Sequence, residues 1–211
     1  MKVKSLFFDF DGVIVESAGI KADAYKEVFK DESTHLTEII DFYKAHNGLS
    51  RYKMFDLVYQ EILRRPLSAD EKNRLGQSFS ETVMTKVIKC QPVKGSVDFL
   101  EHFSSVLPLF LLSATPTDEL KHILRTRKLV SYFQEVHGSP IEKSEAARSI
   151  MKRYMLSPHE VTFIGDTFND FHTALETDMN FIGRVPAGSE NPFPRSTSTI
   201  EDFTQLQAAL D

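Results

Sequence analysis

The chain of 211 residues has a single cysteine, Cys90, so no internal disulfide can form, which argues against a stapled secreted scaffold. It also lacks a basic surplus. Its 25 basic and 30 acidic side chains leave a net charge of −5, and with a pI near 5.8 the composition speaks against a dedicated nucleic-acid binder. No apolar run approaches the roughly 20 residues a membrane span needs. The run Leu6-Phe7-Phe8 meets Asp9 too soon to serve as a signal peptide. Internal repeats and low-complexity tracts are missing as well. These absences lead to the expectation of a reduced, cytoplasmic, soluble protein with no nucleic-acid or membrane partner. What is present is ordinary, 41% hydrophobic and 26% charged, at a length suited to one large domain or to one domain carrying an insertion.

The stretch from Lys2 to Phe10 ends in an apolar run typical of a buried parallel strand and then enters Asp9-Phe10-Asp11-Gly12, where a glycine lets the chain turn. From about Ile20 to Cys90 the pattern has a helical period. Stripes form at Ala24, Tyr25, Val28 and Phe29, at Leu36, Ile39, Ile40 and Tyr43, and at Phe55, Val58, Tyr59, Ile62 and Leu63 after the N-cap Ser50. A fourth stripe, Leu75, Phe79, Val83 and Val87, follows the capping box Ser68-Ala69-Asp70-Glu71. After Pro92 and Gly95, strand and helix patterns alternate. Helices are expected at 97–103, 118–129, 144–154, 170–176 and 200–210, with strands at 109–112, 133–137, 161–164 and 180–185 and a surface loop at 186–198. Such alternation implies an α/β fold, a doubly wound parallel sheet. Residues 1–16 and 91–211 then form the core, and residues 17–90 an all-helical insertion after the first strand.

In such a sheet, ligands bind beyond the carboxyl ends of the strands. Asp9 and Asp11 follow the first strand, Ser113, Ala114 and Thr115 follow 109–112, and Asp166 and Asp170 follow 161–164, while Lys143 precedes a helix. An isolated Asp-x-Asp is usually a solvated turn, and a lone lysine is usually a surface residue. It is their joint placement at one edge of the sheet that sets these apart. Clustered carboxylates repel unless a cation neutralises them, and an all-oxygen set suits Mg²⁺. Phosphoryl transfer fits the rest. Asp9 is the candidate nucleophile, forming an aspartyl phosphate, and Asp11 the candidate general acid and base. Ser113 and nearby backbone N–H groups, with Ala114 among them, are candidates to hold phosphate oxygens, and Lys143 to balance charge on the phosphate and Asp9.

This ordered set resembles the haloacid dehalogenase (HAD) superfamily over almost the whole chain. The first motif is matched by Phe7-Phe8-Asp9-Phe10-Asp11-Gly12-Val13-Ile14, continued by Glu16-Ser17. Leu111-Leu112-Ser113-Ala114-Thr115 matches the second, Lys143 after Gly138-Ser139-Pro140 the third, and Gly165-Asp166-Thr167-Phe168-Asn169-Asp170 the fourth. The resemblance implies a Rossmann-like core with a helical cap inserted after the first strand. It also implies a Mg²⁺ site built from the Asp9 carboxylate, the Asp11 main-chain carbonyl and Asp166, with Asp170 one step behind or reaching the metal through water.

Within the superfamily, Asp11 favours phosphate esters, because dehalogenases and phosphonatases lack a carboxylate at its position. The Lys-Thr-Gly-Thr run of the ion pumps is absent. Asn47-Gly48-Leu49-Ser50-Arg51 resembles the specificity loop of β-phosphoglucomutase, which implies that Arg51 clamps a second anionic group. Two departures weaken mutase chemistry. Lys21 stands where those mutases carry a gating histidine, and Asn47 where they carry a lysine. Lys21 and His46 are further candidates for substrate contact. The expectation is therefore a Mg²⁺-dependent phosphatase of the phosphoglycolate phosphatase and β-phosphoglucomutase-like branch, acting on a small phosphorylated metabolite such as a sugar or hydroxy-acid phosphate. A sugar phosphomutase is the first alternative and a non-catalytic binding protein of the same fold the second.

Overall fold

The computed structural model describes residues 3–210. Six strands form one parallel sheet in the order β3-β2-β1-β4-β5-β6. They are β1 (Ser5–Phe8), β2 (Leu109–Pro116), β3 (Glu135–Ser139), β4 (Val161–Gly165), β5 (Asn180–Arg184) and β6 (Ser198–Ile200). Lys2, where the sequence pattern starts the first strand, lies outside the described residues. β1 is central: Phe8 is level with Leu111 of β2 on one side and with Ile164 of β4 on the other. The chain winds outward from β1 in one direction through β2 and β3, and in the other through β4, β5 and β6. The reversal leaves a crevice at the carboxyl ends of the central strands, which is the ligand position in this topology.

The pleat sorts side chains to the two faces. Leu6 and Phe8 enter one apolar cluster with Phe99 and Leu100 of α5 (Ser96–Phe103) and with Leu120 and Leu124 of α6 (Thr117–Thr126). Phe7 and Phe110 enter another with Ala147 and Ile150 of α7 (Lys143–Tyr154) and Ala174 of α8 (Phe168–Glu176). Both faces are thus covered, and for that reason the strands read as unbroken apolar runs.

Four α-helices lie between β1 and α5: α1 (Ala18–Val28), α2 (Leu36–Ala45), α3 (Arg51–Leu57) and α4 (Ala69–Lys89). Ser50 caps α3, accepting from Lys53 N, and Ser68 caps α4, accepting from Glu71 N. The third stripe is not one regular helix, since a π-turn at Val58–Ile62 continues α3. The Glu71 carboxylate does not close the expected capping box; it accepts from the Tyr59 hydroxyl at 2.7 Å. The connections into and out of this helical segment run side by side, with Glu16 N donating to Gln91 O at 3.0 Å and Val15 bridging Pro92.

At the C-terminal end the expected helix from Ile200 is corrected. Ser198–Ile200 adds β6 to the sheet edge beside β5, and the closing helix α9 covers only Leu206–Leu210. Three residues are too few for a period to show. No helix among the described residues is long and apolar enough to cross a membrane.

The Phe8 ring is fully buried among Phe99, Phe133 and Phe203, with centroids 6.0–6.4 Å away. Phe8→Ala should cost about 3–5 kcal/mol, read as a fall in the denaturation midpoint with an unchanged slope. A loss well under 1 kcal/mol would mean that this cluster does not hold the sheet to α5.

Candidate active site

Asp9 is the first residue past β1, and its backbone N–H donates to Ile164 O at 2.9 Å, which ties it to β4. Asp166 is the first residue past β4. Asp170 lies in the first turn of α8, fixed by a reciprocal cap. Its amide faces Thr167 Oγ1, and its Oδ2 accepts from Thr167 N at 3.1 Å. The Thr-x-x-Asp spacing is a readable signal for this cap, and it moves the helix start from the expected Asp170 to Phe168. One carboxylate oxygen from each of Asp9, Asp166 and Asp170 lies within 4.8 Å of the others.

Lys143, the first residue of α7, is buried against this group. Its Nζ donates to Asp170 Oδ1 at 2.6 Å and stands 3.0 Å from Asp9 Oδ1, an ion pair short of an aligned hydrogen bond. Asp9 Oδ1 and Asp166 Oδ1 are both buried without a hydrogen-bond partner. Burial pushes the Asp9 carboxyl up from 3.8 to about 7, with Lys143 opposing and Asp170 and Asp11 adding to the rise. Burial, followed by Asp9 and Asp170, holds Asp166 well above the usual carboxylate range. The site therefore carries more negative charge than its lysine can balance. The two unpartnered oxygens and the all-oxygen donor set fit a hard divalent cation such as Mg²⁺. Asp170 has both oxygens already engaged by Lys143 and Thr167, leaving Asp9 and Asp166 the freer pair.

Gly12 makes this approach geometrically feasible. Its φ of +78° is left-handed, and a Cβ there would stand 2.1 Å from Asp166 Oδ2. Arg184 at the end of β5 secures the same turn, donating to Gly12 O at 3.1 Å and clasping Glu16 at 2.6 and 3.0 Å. Sequence reasoning does not find Arg184, which has no local signature.

The Asp11 side chain turns away from the other three carboxylates. Ser17 Oγ donates to its Oδ1 at 2.6 Å, while Lys21 Nζ at 2.5 Å and Thr115 Oγ1 at 2.9 Å hold Oδ2. Burial acts upward on its pKa, but the Lys21 charge and these hydrogen bonds outweigh it and set the carboxyl below its ordinary value. Ser113 is buried, and its Oγ accepts from Thr115 N at 3.1 Å. Ala114 borders the cleft on both its sides. Ser17 and Thr115 stand inside the first two motifs, and only their contacts single them out.

The helical segment seats its 47–50 loop on this edge. Gly48 has φ +96°, and a Cβ there would come 2.4 Å from Thr167 Oγ1; its carbonyl accepts from Asn169 Nδ2 at 3.2 Å. Beneath this loop the two clefts, one beside Asp9 and Asp166 and one beside Ser113 and Lys143, measure about 20 Å³ each, room for about one water apiece. Larger hollows of about 370 and 520 Å³ contain none of these carboxylates.

Not every candidate is brought here. Lys21 borders the cleft. His46 caps α2, stacks on Phe42 and bonds Phe42 O at 2.9 Å on the exposed side, and it lines neither cleft. Arg51 is buried and bound to Glu119 of α6 rather than presented to the clefts.

Asp9 binds its proton more tightly folded than unfolded, so between its unfolded value of 3.8 and its folded value of about 7 the native chain holds the extra proton. Stability contributed by this group should therefore fall as pH rises through that window, and Mg²⁺ should offset the loss. Thermal unfolding with chelator and with Mg²⁺ is expected to show a Tm gap that widens with pH and shrinks in Asp9→Asn. A gap independent of both pH and Asp9 would place the cation elsewhere.

The family model described as haloacid dehalogenase-like hydrolase matches residues 6–184. Similar solved structures include a haloacid dehalogenase-like family hydrolase from Streptococcus pneumoniae, at 21% identity and TM-score 0.73 over 99% of both chains. The putative HAD-hydrolase YfnB from Bacillus subtilis, bound to magnesium, aligns at 15% identity and TM-score 0.72 over 100% of this chain and 99% of that one. CbbY from Rhodobacter sphaeroides, in complex with xylulose-1,5-bisphosphate, aligns at 12% identity and TM-score 0.78 over 99% of both. No curated protein matches. At these identities the structures speak for the fold, and the family model, spanning most of the sequence and every motif residue from Asp9 to Asp170, establishes that the chain belongs to the haloacid dehalogenase-like hydrolases.

Proposed function

We propose that this hydrolase is a Mg²⁺-dependent phosphatase that cleaves a small phosphate monoester through an aspartyl phosphate on Asp9. The observation that carries the reading is the pair of buried carboxylates of Asp9 and Asp166, Asp166 Oδ1 without a hydrogen-bond partner and Asp9 Oδ1 met only by the Lys143 charge, a site that calls for a dication and then for a dianionic ligand. Asp9, Asp166 and the Asp11 main-chain carbonyl would hold Mg²⁺, with Asp170 one step behind. The ion would neutralise the carboxylates and the phosphoryl oxygens.

Asp9 attacks phosphorus with one carboxylate oxygen as the ester P–O bond breaks, and the leaving oxygen takes a proton from Asp11. A water that gives its proton back to Asp11 then attacks the acyl phosphate, releasing phosphate and restoring Asp9. Ser113 and the Ala114 N–H hold phosphate oxygens, and Lys143 balances charge on them. In the closed arrangement Lys21 keeps Asp11 charged, the form that accepts a proton from water. Donating a proton to the leaving group requires a loosened Lys21 contact.

Residues 17–90 act as a cap on the core formed by 1–16 and 91–211. With only about 20 Å³ in each cleft, substrate enters when the cap lifts, and closure then excludes water from the reacting centre.

Phosphate release from a panel of sugar, glycerol and hydroxy-acid phosphates is the direct test. Chelator should abolish release and Mg²⁺ restore it. Asp9→Asn should lower kcat by roughly 10³-fold or more with an unchanged far-UV circular dichroism spectrum. Release by that variant at close to the wild-type rate would remove Asp9 as nucleophile.

A further inference from the structure

Among the described residues, three ion pairs join residues 17–90 to the rest of the chain. Lys53 and Glu142 stand 3.5 Å apart and exposed, a pair that adds little in water. Lys21 and Asp11 border the cleft, so what enters the cleft alters their contact. The third pair, Arg51 of α3 with Glu119 of α6, borders neither cleft. Arg51 Nη2 donates to Glu119 Oε2 at 2.5 Å, and Nη1 lies 3.2 Å from Oε1. Ser80 of α4 completes the set, its Oγ 2.5 Å from Arg51 Nη1 and 2.7 Å from Glu119 Oε1. Side-chain exposure is 4% for Arg51 and 23% for Glu119. This is a two-point, charge-assisted pair largely out of water, the geometry in which arginine and carboxylate bind most firmly.

Its place along the helices matters as much as its geometry. The chain enters and leaves the helical segment at one point, where Val15 bridges Pro92 and Glu16 N donates to Gln91 O at 3.0 Å. Arg127, just past α6, belongs to that point. Its Nη1 donates to the carbonyls of Val87, Ile88 and Cys90 at 2.8–3.0 Å. Glu119 stands eight residues back along α6 and Ser80 ten residues before Cys90 on α4. At 1.5 Å per helical residue these are roughly 12 and 15 Å from the crossing. Lifting the segment about the crossing leaves the Arg127 contacts near the pivot and able to persist. The Arg51–Glu119–Ser80 contact, farther out, has to part.

We propose that the Arg51–Glu119–Ser80 contact is a latch that holds the helical segment shut over the clefts whatever they contain, so that access to the site waits on spontaneous release of the latch. The inference rests on the part of the phosphatase reading that makes residues 17–90 a lifting cap. A ligand biases an equilibrium only through contacts that differ between its two states. Arg51 and Glu119 line neither cleft, so a ligand there makes no contact with the latch, which closes an empty and a filled site alike. With about 20 Å³ in each cleft, the latched form admits nothing much larger than water.

Amide hydrogen exchange of the full chain, read by mass spectrometry, tests the latch because it reports local opening without needing turnover. Glu119→Gln should speed exchange by about tenfold or more in residues 46–54 and 165–169, which face one another across the clefts. Exchange within α1, within residues 81–89 of α4 and within β1 should stay at wild-type rates. Glu119→Asp, which keeps the charge, should retain most of the protection. Glu119→Gln strands the buried Arg51 charge, and that alone can loosen the segment. The double variant Arg51→Met with Glu119→Gln strands none, and it must still exchange faster than wild type at 46–54 and 165–169. Wild-type rates there in either variant would overturn the proposal. So would faster exchange throughout α1 and α4, since the segment would then be melting rather than lifting. A chain that hydrolyses no ester loses the phosphatase reading but leaves the exchange result to decide the latch, and a chain that hydrolyses esters with unchanged exchange loses the latch alone.

Discussion

The surplus of buried negative charge at the centre of the sheet is the constraint on which the other features of the site depend. Asp9, Asp166 and Asp170 converge within 4.8 Å, and one buried lysine, Lys143, stands among them. Carboxylates removed from water at this spacing cannot all stay ionised unless something positive joins them. The fold supports the arrangement locally rather than relieving it. Gly12 leaves out the Cβ that would strike Asp166, Arg184 pins the Gly12 turn to β5, and the Thr167 cap orients Asp170. Under the proposed phosphatase reading, a bound cation and a phosphoryl group would relieve this crowding, which is the usual relation between local strain and function.

Against that centre, three arginines and a lysine, among the cationic side chains that join distant parts of the chain, divide the work. Arg184 holds the turn after β1. Lys21 reaches from α1 to Asp11 and so ties the state of the second acid to the position of the helical segment. Arg127, just past α6, donates to the carbonyls of Val87, Ile88 and Cys90 at 2.8–3.0 Å and closes the C-terminal end of α4. Arg51 meets Glu119 at the other end of α6. The helical segment is thus anchored to one core helix at both of that helix's ends, while its 47–50 loop rests on Thr167 and Asn169 over the carboxylates.

Much of this architecture is legible in the linear sequence. The alternation after Pro92 specifies the parallel sheet, because strands buried on both faces must be apolar throughout and helices that cover them must carry a periodic stripe. Asp9 and Asp166, each just past a strand end, mark the candidate edge together with Ser113, which the expected strand 109–112 left outside but which lies within β2, since that strand runs on to Pro116. Three features escape a linear pattern, each for a physical reason. β6 is three residues long and shows no period. The π-turn after Leu57 preserves the apolar stripe while changing the hydrogen bonds, so the pattern cannot reveal it. The 47–51 loop resembles one that binds a ligand and so assigns Arg51 to a substrate anion, whereas its partner is an acid 68 positions further along the chain.

The sequence by itself determined the fold class, the identity of the chemical groups and the edge at which they gather, because periodicity, capping and strand-end placement are local properties that a linear pattern records. The tertiary structure alone decided which charges neutralise one another. Asp9 draws Lys143, Glu16 draws Arg184, 168 residues away, and Arg51 draws Glu119. A long cationic side chain can reach any acid within several ångströms, so its partner depends on how separate elements pack, and no spacing in the sequence records that distance.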